Sequence, residues 1–215
     1  MLDISLCGHR FIAHSQRALY WPAQSMLLIA DVHLGKADTF RQFGIGVPQR
    51  VQESDLVRLE HLLQYFQPQR CVVLGDLVHG RILGPGTVQT WNDLVQSHPG
   101  TVFELILGNH DRNLQPVDLT LQYVHKNLQI DGVYLSHEPL TTPELSTHNS
   151  LNIHGHIHCA ARVDGSSKKL PALAYSPPHL SMPAFSEFTA GIQASAGCKK
   201  IWVFAPEDDL VCQIR

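Results

Sequence analysis

An apolar segment that ends in a cluster of polar, metal-binding side chains constrains the fold of this chain most. Residues 101–107 read Thr-Val-Phe-Glu-Leu-Ile-Leu, a mostly apolar pattern that predicts a buried β-strand. Gly108 permits a tight turn, and Asn109, His110 and Asp111 then supply an amide, an imidazole and a carboxylate. Open α/β sheets bind ligands outside the carboxyl ends of their strands. The pattern therefore predicts a sheet edge that carries the chemistry of the protein.

The same order of apolar segment, turn and polar side chain recurs along the chain. Four other apolar segments lead into Asp or His within two residues, and together with residues 108–111 we call these places the strand-end blocks. The other blocks are Asp31-Val32-His33, Gly75-Asp76, His137 and Gly155-His156-Ile157-His158. Since all of them follow predicted strands, we expect them to converge at one edge of a sheet.

The first half of the chain alternates predicted strands with predicted helices, which indicates an α/β protein with a layered βαβ sheet. Residues 4–21 predict short antiparallel strands at the sheet edge. Pro48 is predicted to open a helix that ends before Pro68, and Thr87 to cap a second helix.

After residue 111 the pattern changes to one strand after another. Residues 162–191 are rich in Pro, Gly and Ser and predict turns and a surface excursion. The last residues predict a hairpin across 206–209, and we expect one domain over residues 1–215.

Composition limits the classes of function. The formal net charge is −3 and no long basic run is present, so bulk electrostatics do not favour a general nucleic-acid coat. The five cysteines lack C-x-x-C spacing and predict reduced, mostly buried thiols. The first residues lack the layout of a signal peptide, and no apolar run has membrane-spanning length, so we expect a cytoplasmic protein.

The strand-end blocks together offer carboxylates, one amide oxygen and several imidazoles, and no thiolate. This mixed oxygen and nitrogen set suits divalent manganese, iron or zinc, and suits calcium poorly. More ligands are present than one ion needs. Two ions that share a carboxylate would use them well, and such pairs clamp the attacking and leaving oxygens of a displacement at phosphorus.

The blocks D-x-H, G-D, G-N-H-D, H and G-H-x-H resemble, complete and in order, those of the calcineurin-like metallophosphoesterases. The resemblance implies an α/β fold with a two-layered β-sandwich flanked by helices, and two metal ions, with manganese preferred and iron or zinc also suitable. It implies first-metal ligands Asp31, His33 and His158, a bridging Asp76, and second-metal ligands Asn109, His137 and His156. It also implies that His110 stabilises or protonates the leaving oxygen and that Asp111 orients the His110 ring.

A narrower resemblance, to the bacterial ligase-associated phosphoesterases described as DNA damage response endonucleases, spans nearly the whole chain. It rests on these segments: 31–36, 40–41, 44–48, 75–79, 136–139, 182–185 and 188–191. It implies a phosphodiesterase that acts on DNA and a functional link to a DNA ligase and a helicase. The chain reads Thr189-Ala190-Gly191 where that family often has Thr-Gly-Gly, which makes a role for this block less secure.

Several interpretations stay open at this stage. In a purely structural interpretation, the strand-end residues only cap turns. Among functional alternatives, a phosphomonoesterase, a nucleotide pyrophosphohydrolase or a non-catalytic scaffold would use the same blocks. His79, Lys36, Arg41 and Arg112 are candidates for substrate binding, although a hydrogen bond to a ligand explains His79 and surface charge explains the others equally well.

His154 is more typical of a satisfied core histidine. Loop aromatic residues would either cover the core, which we favour, or stack on a base: Phe40, Phe43, Tyr175 and Phe185.

Overall fold

A computed structural model describes residues 1–46, 50–113, 119–141, 145, 150–163, 165 and 167–215. Its first sheet begins with an antiparallel meander and continues with parallel strands. The strands lie side by side in chain order: β1 (Leu2–Leu6), β2 (His9–His14), β3 (Ala18–Trp21), β4 (Met26–Ile29), β5 (Arg70–Leu74), β6 (Val102–Ile106) and β7 (Tyr123–His125).

The parallel strands β4, β5 and β6 form the centre of this sheet because their side chains are apolar on both faces. Every side chain of Met26–Ile29 is completely buried, as expected for a strand covered on both sides. The helices lie in the segments that connect or follow these strands: α1 (Lys36–Gln42), α2 (Arg50–Phe66) and α3 (Pro85–Ser97).

The second sheet contains the remaining described strands: β8 (Leu128–Ile130), β9 (Val133–Ser136), β10 (Leu151–His154), β11 (Cys159–Arg162), β12 (Lys169–Ser176), β13 (His179–Ser181), β14 (Ile192–Gln193), β15 (Lys200–Ala205) and β16 (Leu210–Gln213). Its order is β14-β11-β12-β13-β10-β9-β8, and β15 pairs with both β12 and β16. The parallel pair of β9 and β10 lies beside β13.

Two apolar layers hold these elements together. Leu28 and Leu74 of the first sheet belong to the same buried cluster as Ile153 and Trp202 of the second sheet. On its other face, the first sheet packs against α2 and α3. The buried cluster between them includes Leu59 of α2 and Trp91 of α3. The predicted α/β class, with two sheets and flanking helices, is confirmed.

Several local predictions are confirmed. The antiparallel strands within residues 4–21 and the C-terminal hairpin are present, and the five cysteines are free thiols, three of them buried. Pro48, the predicted start of α2, lies outside the described residues. No helix in the described ranges is long and apolar enough to cross a membrane.

Two local predictions are wrong. Helix α3 begins at Pro85, a favourable first helical residue, and Thr87 lies inside it, where its hydroxyl donates to the Asp38 carboxylate at 2.7 Å. Residues 162–191 are not mainly a surface excursion, because β12 within them pairs with β11, β13 and β15. The small residues Ala172 and Ala174 give a weak strand signal, and their burial between neighbouring strands is a tertiary property.

Candidate metal centre and active site

The carboxyl ends of β4, β5 and β6 bring the first three strand-end blocks together. Beyond the strands, the backbone N–H of Asp31 donates to the carbonyl of Gly75 at 3.1 Å, and that of His33 donates to the carbonyl of Asp76 at 2.9 Å. The blocks that follow β9 and β10 approach from the second sheet. The backbone N–H of His156, for instance, donates to Asp31 Oδ2 at 3.0 Å.

Two groups of side chains at this meeting point could each hold a metal ion. Asp31, His33 and His158 form one group, and Asp31, Asp76 and His137 form the other, with the ligand atoms of each group within 4.8 Å of one another. His158 Nε2 lies 3.1 Å from Asp31 Oδ1, and His137 Nε2 lies 3.5 Å from Asp76 Oδ1. The structure thus brings together five of the seven predicted metal ligands in two groups that share Asp31.

The backbone at these residues is in the left-handed region, which non-glycine residues adopt at a cost of about 1–3 kcal/mol each. Their φ angles lie between +51° and +63°. The residues concerned are Asp31, His33, Asp76, His156 and His158. Strain concentrated on predicted ligands is typical of a functional site, and the hydrogen bonds between the blocks hold it in place.

The glycines before the ligands are required by close backbone approach. A Cβ atom on Gly108 would lie 2.3 Å from both the backbone nitrogen and Oδ1 of Asp76. A Cβ atom on Gly75 would lie 2.2 Å from His137 Nδ1, and its φ of +79° also disfavours other residues. These glycines therefore let the carboxylate of one block pack directly against the imidazole and backbone of others.

Hydrogen bonds orient the candidate ligands. His137 Nδ1 lies 3.1 Å from the carbonyl of Leu74, so that Nδ1 is the protonated nitrogen and Nε2 presents a lone pair toward Asp76. Asp76 Oδ1 accepts a hydrogen bond from the backbone N–H of His110 at 2.9 Å. Such outer contacts fix the orientation and tautomer of metal ligands.

The residues present fit divalent metal ions. His33 Nδ1 is buried and has no hydrogen-bond partner within the described part of the chain. Burial, with nearby histidines and Lys36, lowers the pKa of His33 to about 2, which keeps the imidazole neutral. Burial also raises the pKa of Asp31, a carboxylate that a cation would stabilise. A divalent cation binds neutral imidazoles and neutralises buried carboxylates. Both features therefore suit a metal site.

Comparison with known proteins decides the family. The family model for calcineurin-like phosphoesterases matches residues 25–192, which is most of the chain. The chain belongs to the calcineurin-like phosphoesterase family. It is therefore a metal-dependent phosphoesterase, as the order of the strand-end blocks predicted.

Solved structures agree with this family assignment. The nuclease MPE of Pseudomonas putida is 28% identical with a TM-score of 0.80, and the similarity covers 99% of each chain. Yfce, a phosphoesterase from E. coli, is 16% identical with a TM-score of 0.50, over 88% of this chain and 97% of that one, and supports the fold alone. A search of curated protein sequences gave no match.

The two remaining predicted ligands, Asn109 and His156, lie outside the two groups. His156 Nδ1 is 3.2 Å from His137 Nε2. The Asn109 side chain donates to Glu138 at 2.7 Å and accepts from Arg112 at 3.0 Å. The carboxylate common to both groups is Asp31, whereas the family resemblance gives the bridging role to Asp76. The bridging role of Asp76 and the ligand roles of Asn109 and His156 stay predictions.

His110 occupies the position expected of the family's non-ligand histidine. Its side chain is 45% exposed, and Nε2 lies 3.9 Å from Asp76 Oδ2. The ring stacks on that of His79 with centroids 5.3 Å apart. The Asp111 carboxylate has backbone partners instead of this ring, since it accepts from the N–H groups of Val78 and Gly108. These contacts hold the turn that presents His110, and the orientation of the His110 ring by Asp111 stays a prediction.

The candidate substrate-binding cations all have protein partners. Arg41 pairs with Asp38 at 2.5 Å, on α1, and Arg112 donates to Asn109. Lys36 Nζ donates to the carbonyl of Phe188 at 3.1 Å and to Thr189 Oγ1 at 3.2 Å. Lys36 therefore connects the residues after the first block to the C-terminal segment that carries Thr189.

The predictions for His154 and for the loop aromatic residues have different outcomes. His154 is buried with both ring nitrogens hydrogen-bonded, to Gly155 and Ser181, and burial lowers its pKa to about 4, as expected of a core histidine. Phe185 is completely buried, which confirms the core interpretation. Phe43 is 74% exposed, so its predicted core position is wrong because it lies in a turn after α1.

Sequence reasoning missed a connection between α2 and the site. Arg58 of α2 donates to Asp55 at 2.7 Å and to the carbonyl of Phe185, and its guanidinium lies 4.4 Å from the centre of the Phe185 ring. The segment after Phe185 then forms hydrogen bonds to the loops that carry Asp31 and His158. The backbone N–H of Ser186 donates to the carbonyl of Asp31, and that of Ile192 donates to the carbonyl of His158. Only the Asp-x-x-Arg spacing on one helix face signals this pair in the sequence.

Proposed function

We propose that this phosphoesterase hydrolyses phosphodiester bonds in DNA and acts as a nuclease linked to DNA repair. The observation that carries the proposal is a pair of metal-binding groups that share Asp31 and lie beside the half-exposed His110. The full-length similarity to a nuclease supports a nucleic-acid substrate. The narrower sequence resemblance supports a functional association with a DNA ligase and a helicase. The proposal further assigns all 215 residues to one domain in the cytoplasm.

The metal assignment follows the two groups. Asp31, His33 and His158 would hold one ion, Asn109, His137 and His156 would hold the other, and Asp76 would serve both as the bridging carboxylate. Manganese is the preferred ion, and iron or zinc also suits this oxygen and nitrogen set. When bound, the ions supply charge neutralisation at the phosphoryl oxygens and Lewis acidity for attack by water.

The protein's own groups supply position and proton transfer. His110 Nε2 is exposed enough to reach a substrate and would donate a proton to the departing alkoxide. Its backbone N–H bond to Asp76 fixes the distance between this histidine and the metal-binding carboxylate. Ring stacking on His79 limits the orientations that the imidazole can adopt.

The test compares a chromogenic phosphodiester with the matching monoester, using metal-stripped protein before and after addition of manganese. We expect faster diester hydrolysis that depends on metal. His110→Ala should retain metal binding and lose about 10²–10⁴-fold in cleavage of DNA, whose alkoxide leaving group needs a proton, and should lose less with the chromogenic ester. Asp76→Asn should lose both metal and turnover. His61→Ala, which removes an exposed histidine on α2, serves as the matched control.

Each result has a defined meaning for the proposal. Preference for the monoester would exclude the DNA assignment and favour phosphomonoester hydrolysis on the same site. Full activity and metal loading in Asp76→Asn would remove Asp76 from the metal centre. Nicking of circular DNA, followed by ligation assays with and without a helicase, then tests the repair link.

A further inference from the structure

A cavity of about 400 Å³ opens directly beside the candidate metal centre. His158, which forms a possible metal-binding group with Asp31 and His33, is part of the cavity wall. The rest of the wall comes from β11, β12, residues 184–191 and the turn after β15. The volume lies within the range of about 300–1,000 Å³ that is usual for small-ligand sites. A substrate phosphate at the metal centre would therefore have an open cavity within reach of one of its ester arms.

The charge of the cavity argues against a second phosphate as its occupant. Three basic and three acidic side chains line it, so their formal charges cancel: Arg17, Lys168, Lys169, Glu187, Glu207 and Asp208. The basic groups are also engaged by the protein. Arg17 donates to the carbonyl of Ser186 at 2.9 Å, Lys169 to that of Gly191 at 2.9 Å, and Lys168 lies 3.6 Å from Glu207. A neutral group therefore suits this cavity better than an anion.

Most of the remaining lining residues are small and apolar. Ala160, Ala184, Ala190, Ala205 and the prolines at 171 and 206 contribute short side chains. A cavity whose wall combines small apolar side chains with charged and polar groups suits a planar group that has apolar faces and hydrogen-bonding edges. A nucleobase with its sugar has this character and carries no charge.

We propose that this cavity binds the nucleoside next to the scissile phosphate. The inference rests on the proposed function, because it requires a nucleic-acid diester whose phosphate lies at the metal centre. It adds the reason for substrate preference: His158 connects the metal group to the cavity, so one bound diester would occupy both. Recognition through this arm would favour nucleotide diesters over diesters with small arms.

The test uses three esters with the same p-nitrophenolate leaving group: methyl p-nitrophenyl phosphate and the 5′- and 3′-(p-nitrophenyl phosphate) esters of thymidine. With the manganese-loaded full chain, at least one thymidine ester should have kcat/KM about tenfold or more above the methyl ester, since the base would bury apolar surface that the methyl group lacks. Ala190→Trp places a bulky ring in the cavity from an exposed position, and should lower the ratio of thymidine-ester to methyl-ester kcat/KM to that of an enzyme without the gain.

Two further variants make the result decisive. Ala205→Trp fills the cavity from the last residue of β15 and should act in the same way, whereas Ala196→Trp adds an exposed ring outside the cavity and should change nothing. Methyl ester hydrolysis without a gain from thymidine, or a gain that survives both cavity variants, overturns the inference and leaves the proposed function standing. No hydrolysis of any of the three esters overturns both.

Discussion

Gly108→Ala tests whether close backbone packing holds the metal-binding carboxylate of Asp76. The added Cβ would lie 2.3 Å from the backbone nitrogen and Oδ1 of Asp76 and 3.0 Å from the carbonyl carbon of Gly75. Gly108 is not in the left-handed region, so alanine meets no conformational penalty there. The effect must therefore come from crowding. Since two of the three contacts are with backbone atoms, a rotamer change cannot relieve it.

The expected magnitude follows from the overlap. Overpacking of this kind costs about 1–3 kcal/mol in the free energy of unfolding. For a chain of this size, each kcal/mol shifts Tm by about 2–4 °C, so Tm should fall by about 2–12 °C. Displacement of Asp76 should weaken metal binding by about 10–100-fold, as changes around metal ligands commonly do.

The assay measures Tm of the metal-free protein and manganese affinity by calorimetry, with Gly80→Ala as the matched control. A Cβ on Gly80 meets no atom within 4 Å, and its φ is not in the left-handed region either. Gly80→Ala should therefore keep both properties. Equal Tm and equal manganese affinity in the two variants would refute the claim that Gly108 is required for close packing against Asp76.

The remaining predictions concern Arg58, Asp55 and Lys36. Arg58→Met leaves the buried Asp55 carboxylate unpaired and should lower the free energy of unfolding by about 3–5 kcal/mol in urea titrations, and adding Asp55→Asn should restore part of this loss. Burial raises the pKa of Asp55 to about 6, so the folded state binds more protons than the unfolded state between pH 4 and 6. The stability of the unaltered protein relative to Asp55→Asn should therefore fall as pH rises through this window, by on the order of 3 kcal/mol, and a flat or rising difference would contradict the reasoning. Lys36→Met loses the hydrogen bonds to Phe188 and Thr189 and should lower the free energy of unfolding by about 1–3 kcal/mol. Lys199→Met changes an exposed side chain and should not lower it. Equal thermal unfolding of the two variants would exclude a stabilising connection between Lys36 and residues 188–189.

Local patterns in the sequence were enough for the strand-end blocks. An apolar run predicts burial of a strand, and the glycine and polar residues after it predict a turn with exposed chemistry. Since the carboxyl ends of parallel strands meet at one edge, the convergence of Asp31, Asp76 and His137 could be predicted as well. These are properties of short segments and their order, which is why the family could be inferred before any coordinates.

The tertiary structure alone decided what meets across long separations. It made Asp31 the carboxylate common to both groups, placed Arg58 against Phe185, and used β12 as a paired inner strand although its small residues carry little strand signal. It also opened the cavity beside His158 between segments that are distant in the chain. The physical reason is that periodicity reports which face of an element is buried, whereas the packing of two sheets determines which buried faces touch.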